Sequence, residues 1–260
     1  MGKIRRAKRN ASKARSSADK GQNVLLRNVD RRLKSLESVV EQKYSYANQE
    51  LLGIRGWSAA SATTRQQQIV NIQVGTAQNT TDNNGRIGDM ITVKNIDFRY
   101  SLGIEGSASG NPGQPVTKVR VMAFWDNEPV YTNTSGAGAG AYLTSVPEWQ
   151  QILQGIQMST PDNTSLFSVS PLDHDKRKRF TLIHDEVHTL CPLEGTNGGS
   201  RSATNLTRKY KSYKVGKKLR YSGGGIIPIN RALYVAYISD NTQGPYPYIT
   251  YSVKTQYEDA

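Results

Sequence analysis

The chain has 260 residues, a formal net charge of +13, 36 % hydrophobic content and one cysteine. No apolar run approaches the roughly 20 residues of a membrane-spanning helix and no N-terminal apolar stretch resembles a secretory signal, so the sequence reads as soluble, not exported and without a membrane partner. Cys191 excludes an internal disulfide and reads as a small, at least half-buried apolar residue.

The charge is concentrated at one end. Twelve Lys and Arg less Asp19 and Asp30 give the first 34 residues +10, leaving +3 for the other 226. Lys3, Arg5, Arg6, Lys8, Arg9, Lys13, Arg15 and Lys20 alternate with Gly, Ala, Ser and Asn and with no aromatic residue. This composition predicts a disordered arm over 1–23. Its cations suit phosphate binding that is salt-dependent and nearly blind to sequence. A solubilising tail or a nuclear-import signal is the competing reading.

From residue 24 to 46 the pattern becomes helical: Leu26, Val29, Leu33, Leu36 and Val40 recur at spacings of three and four. Barely two heptads are marginal alone, so this spacer helix is expected to pack on other copies of itself or on its own body. A linker is expected over 47–65 and a β domain over 66–260.

In that domain the period falls to two. Strands are predicted at 67–74, 89–102, 116–125, 165–169, 179–190, 208–215, 232–239 and 248–257. A phase slip between Ile91/Val93 and Ile96/Phe98 predicts a bulge near Lys94 and Asn95. A short helix is expected at 147–154, with Trp149, Ile152 and Leu153 on its inner face. Eight strands with long polar loops at 103–115 and 131–141 fit an all-β, single jelly-roll sandwich better than an up-and-down barrel.

Catalytic chemistry finds no support in the sequence, and no enzyme activity is expected. His184-Asp-Glu-Val-His188 lacks the helical His-Glu-x-x-His order of zinc proteases, and positions four apart on a strand are roughly 13 Å from each other. No metal site or cofactor is expected, apart from an interfacial calcium near Asp162, Asp173 or Asp175. Two further basic blocks stand at Lys176–Arg179 and Arg208–Arg220. In the second, Arg208, Lys209, Lys211 and Lys214, with Tyr210, Tyr213 and Tyr221 interleaved, are candidates for nucleic-acid contact. The same lysines also suit an edge strand guarded against unwanted pairing.

An ordered set of segments carries a family resemblance: Arg86-Ile-Gly-Asp-Met-Ile-Thr-Val, Val119-Arg-Val-Met-Ala-Phe-Trp-Asp126, Trp149-Gln-Gln-Ile-Leu153, Ser170-Pro-Leu-Asp173, Arg179-Phe-Thr-Leu-Ile-His-Asp185 and Leu233-Tyr-Val-Ala-Tyr-Ile-Ser-Asp240. Together with the arm they resemble the capsid proteins of circular Rep-encoding single-stranded DNA viruses, whose jelly roll is also similar to that of plant satellite-virus coat proteins. The resemblance implies a self-assembling coat of about 60 copies around a single-stranded genome, circular DNA by the first likeness and RNA by the second. It implies residence in the virion and, during assembly, the host nucleus, with import and attachment receptors as further partners. About 60 arms of roughly +10 would neutralise on the order of 600 phosphates. The satellite-virus likeness implies that Leu26, Val29, Leu33, Leu36 and Val40 pack between three subunits. A cellular single-strand-binding β-sandwich protein is the alternative from another class.

Overall fold

The computed structural model of the chain describes residues 21–33, 42–55, 68–75, 85–104, 116–133, 141–143, 145–155, 166–191, 206–222, 225–241 and 246–259. It divides into two units, residues 1–41 and 42–260.

In the first unit residues 21–33 form a helix, α1. Its Leu26, Val29 and Leu33 are all more than half exposed, so the described part of the apolar seam has no cover among the described residues. Leu36 and Val40 lie outside the described residues, as does the whole basic arm from Lys3 to Lys20.

The second unit is nearly all β. Its strands are β1 (Gln42–Gly53), β2 (Ile69–Ile72), β3 (Met90–Ile104), β4 (Thr117–Asp126), β5 (Tyr131–Asn133), β6 (Ala141–Leu143), β7 (Phe180–Leu190), β8 (Thr207–Arg220), β9 (Ala232–Ser239) and β10 (Pro247–Asp259). Two antiparallel four-stranded sheets run in the orders β1-β10-β3-β8 and β2-β9-β4-β7, and β5 and β6 form a separate ribbon. A four-residue helix, α2 (Trp149–Ile152), buries Trp149 and Ile152, and Leu153 is buried beside them.

Three sequence expectations are corrected. The spacer helix does not reach residue 46 and the linker does not begin at 47, because 42–53 is β1; residues 56–65 lie outside the described residues. Its two-residue period was hidden by polar side chains at inward positions. Lys43 is buried, donating to Gly85 O at 2.6 Å and pairing with Asp259 at 2.6 Å, and the buried Ser45 hydroxyl meets that of Thr255. The strand expected at 165–169 is a 3-10 turn over Leu166–Ser168 that buries Phe167. Cys191 is a free, exposed thiol. The bulge is where the phase slip put it: Lys94 is the extra residue, since Val93 and Asn95 pair with Tyr257 and Gln256. Opposite it on β8, Gly216 takes φ +63°, a conformation that glycine adopts without strain.

The two sheets share one core, in which Ile91, Phe98 and Val253 of the first meet Val121, Trp125 and Val235 of the second. The second sheet is covered on its other face as well. There Met122, Phe124, Tyr234 and Ile238 pack under Trp149, Ile152, Leu153 and Phe167. Burial on both faces explains why Val121–Trp125 and Leu233–Ile238 read as unbroken apolar runs rather than alternating ones. The first sheet has no such cover among the described residues: β10 buries Ile249, Tyr251, Val253, Thr255 and Tyr257 while the residues between them stay partly exposed.

Arg120 fastens the cover. From β4 its guanidinium makes a two-pronged pair with Asp185 of β7 (2.7 and 2.6 Å) and donates to Phe167 O (2.8 Å) and Ser170 O (2.6 Å). Arg120→Ala leaves these acceptors without their donor and is expected to lower unfolding free energy by about 3 kcal/mol or more, measured by denaturant titration. Arg120→Lys is expected to recover only part of that loss, because an ammonium cannot reproduce the fork.

Candidate nucleic-acid interface

The uncovered face of the β1-β10-β3-β8 sheet is built from alternate residues of four strands, aligned by register. One rung reads Tyr46, Lys254, Asp97, Ser212; the next reads Asn48, Ser252, Arg99, Tyr210; Thr250, Ser101 and Arg208 follow. Tyr44, Gln256, Asn95 and Lys214 form the rung on the other side. An open groove of about 780 Å³ crosses this face, with Asn48, Glu50, Arg99, Arg208, Tyr210 and Ser252 among its walls.

Two cations on the surface lie over aromatic rings. The Arg99 guanidinium lies 4.7 Å from the Tyr210 ring centre, and the Lys254 ammonium lies 4.1 Å from that of Tyr44 and 5.8 Å from that of Tyr46. Tyr46 and Tyr210 remain 60 % and 55 % exposed, so their rings have free area. Lys218 and Arg220 extend the cationic edge along β8. The opposing carboxylates are Glu50, Asp97 and Glu258, the last paired with Lys94 at 2.6 Å. Aromatic faces beside cations, on a hydroxyl- and amide-rich floor, can stack bases and hold phosphates without reading a sequence.

The strand divides the sequence candidates between two faces. Arg208 and Lys214 lie on the open face, opposite Ser101 and Asn95. Lys209 and Lys211 lie on the other face, opposite Tyr100 and Phe98, and Lys209 is engaged by Glu186 at 2.6 Å. Inward cations on this edge strand are a guard against sheet-to-sheet pairing. Of the interleaved tyrosines only Tyr210 is on the open face. Tyr213 turns inward to His184, and Tyr221 is buried, with Arg86 4.1 Å over its ring. In the other basic block, Arg179 is tied to Asp126 at 2.9 Å. Arg99, Lys254, Tyr44 and Tyr46 were missed because they come from three strands distant in sequence; the alternation of β10 was the available signal for Lys254.

The histidines of β7 also differ from expectation. The strand was foreseen, but the two side chains lean together onto one point from the opposite sheet: His184 Nε2 and His188 Nε2 lie 3.0 and 2.7 Å from the Tyr100 hydroxyl. Among the described residues no group of three or more His, Cys, Asp or Glu side chains is placed to hold a metal ion. Asp173 instead caps its own turn, accepting from Asp175 N at 3.0 Å, and Asp162 lies outside the described residues.

Tyr210→Ala is expected to weaken binding of a single-stranded oligonucleotide by about 1–3 kcal/mol, the loss of one stacked base, in a fluorescence titration. Arg208→Gln is expected to flatten the logarithmic salt dependence by about 0.7, one phosphate contact, whereas Lys211→Gln on the opposite face leaves it nearly unchanged.

No protein-family model matches the chain, and no curated protein matches it.

Proposed function

We propose that the chain is a viral coat protein that self-assembles into a small icosahedral shell and packages a single-stranded genome. The observation that carries this reading is the nesting of its strands. Counted through the two sheets, the first strand pairs with the eighth, the second with the seventh, the third with the sixth and the fourth with the fifth. This is the pattern obtained by folding one long hairpin over itself into a jelly roll, an architecture recurrent in viral capsids.

Three further features support it. The charge is split between a cationic arm and a nearly neutral body. One sheet is covered on both faces while the other keeps an open, cationic and aromatic face, as a wall with one side toward a polyanion requires. The exposed Leu26, Val29 and Leu33 of α1 lie on one helix face and form an apolar stripe suited to other copies of itself. In this reading the role is structural rather than catalytic, subunits associate through heterologous ring contacts, and counterion release from arms and open faces drives closure together with apolar burial. About 60 copies, a circular DNA genome, assembly in the nucleus and receptor contact by outer loops rest on the family resemblance.

A second reading, a single-strand-binding protein that does not assemble, draws on Tyr46 and Tyr210 in their cationic surroundings. The two part company in electron microscopy with nuclease protection, comparing the full chain with one lacking residues 1–34. Closed particles about 20 nm across, protecting nucleic acid only when the arm is present, are the expected result. Monomers that bind single strands without closing would establish the second reading. Leu33→Asp is expected to reduce particle yield while leaving the far-ultraviolet spectrum of the β domain unchanged; full yield would remove α1 from assembly.

A further inference from the structure

We propose that the buried polar cluster joining β7 to β3 and β8 is an acid-sensitive latch between the two sheets, closed while His184 and His188 are neutral and released when they take up protons. β7 and β8 are edge strands of opposite sheets. Along this side, among the described residues, the side-chain hydrogen bonds from β7 to the first sheet run through His184, Glu186 and His188.

The protons of the cluster can be assigned by counting. The Tyr100 hydroxyl has one proton and two acceptor positions, and it meets three partners: His184 Nε2 at 3.0 Å, His188 Nε2 at 2.7 Å and Glu186 Oε2 at 3.3 Å. An ionised Glu186 only accepts. The assignment that gives every contact a proton therefore has Tyr100 donating to Glu186 and both Nε2–H groups donating to Tyr100. A neutral His184 then has a bare Nδ1, which accepts from the Tyr213 hydroxyl at 2.7 Å. Lys209 completes the set by donating to Glu186 Oε1 at 2.6 Å. All these contacts are satisfied when both imidazoles are neutral.

An added proton disturbs this arrangement. On His184 it must enter at Nδ1, so that two donors face each other until Tyr213 turns its hydroxyl proton away. Among the described residues the charges that face the rings are few. β7 supplies Glu186 beside them and Asp185, which is held by Arg120; β8 supplies Lys209 and Lys211, with Tyr213; β3 supplies only Tyr100 and the apolar ring of Phe98. Burial lowers the affinity of both histidines for a proton, against the pull of Glu186; for His184 the proximity of His188 and Lys211 adds to the lowering, and for His188 Lys209 does. Burial alone would raise the Glu186 carboxyl, but the Lys209 hydrogen bond and the neighbouring histidines leave it below its ordinary value.

The sign follows from linkage. A histidine that binds its proton more weakly folded than unfolded contributes stability fully present above the unfolded-state value, about 6.5, and lost as pH falls through the folded value. Glu186 is held below its ordinary carboxylate value, so as the pH falls from about 6.5 the loss of stability begins with the histidines.

Two measurements on the full chain test the latch. In the first, exchange of the histidine C2 protons followed by mass spectrometry gives each ring its own titration, in the folded chain and in the chain unfolded by denaturant. His184 and His188 are expected to titrate lower in the folded chain than in the unfolded one; an equal or higher folded value overturns the proposal. In the second, amide hydrogen exchange is compared at about pH 7 and about pH 5, after correction for the intrinsic rate. Protection is expected to be lost over Phe180–Leu190 and Thr207–Tyr213 but kept over Ala232–Ser239, and the loss is expected to disappear in the H184Q/H188Q variant. Equal loss in variant and unaltered chain, or no loss in the unaltered chain, overturns it. The first measurement decides even where the variant does not fold, and neither depends on whether the chain forms shells.

Discussion

The pairing of β1 with β10 is the constraint on which the first sheet depends. β10 lies between β1 and β3, hydrogen-bonded along both edges, and its inward residues Ile249, Tyr251, Val253 and Tyr257 reach the centre of the core. At one end the join is sealed by Lys43, buried and paired with Asp259. Such a charge is tolerable inside only because a carboxylate and the Gly85 carbonyl meet it. With β10 in place the remaining pairs nest inward, and each sheet is assembled from both halves of the chain.

That arrangement also decides where chemistry can happen. Covering the outer side of β9 and β4 with α2 and the Phe167 turn commits the second sheet to packing alone. Among the described residues only the first sheet keeps a face on which side chains of four strands lie in register and remain reachable. Its pairs of Arg99 with Tyr210 and Lys254 with Tyr44 are consequences of strand alignment, and neither partner would be near the other in a differently ordered sheet.

Much of the fold was legible because burial writes itself into the residue pattern. The apolar runs of β4 and β9, the strict alternation of β10 and the phase slip at Lys94 all survive reading as a string. β1 did not, because Lys43 and Ser45 occupy positions where the pattern calls for apolar residues. The segment around Phe167 misled for the opposite reason: an apolar cluster on a turn that plugs the outer face has the composition of a strand. The open face, as a candidate site, was half legible. Arg208 and Lys214 announced themselves as a basic block, but which lysines share their face depends on register, and Arg99, Tyr44 and Tyr46 join them only through pairings across most of the chain. The meeting of His184 and His188 was invisible, since the point on which they converge is a hydroxyl of the other sheet.

Residues 43 and 259 stand 216 positions apart in sequence. At about 5–20 residues per second, a ribosome needs about 10–40 s after making β1 before it has made the strand that β1 pairs with. During that time β1 and β3 both present unsatisfied edges, and a nascent chain halted before residue 247 lacks the common neighbour of both rather than one peripheral strand. Completion of the first sheet is thus obliged to wait until β10 has been made, and chaperone protection of the growing chain matters most in that interval.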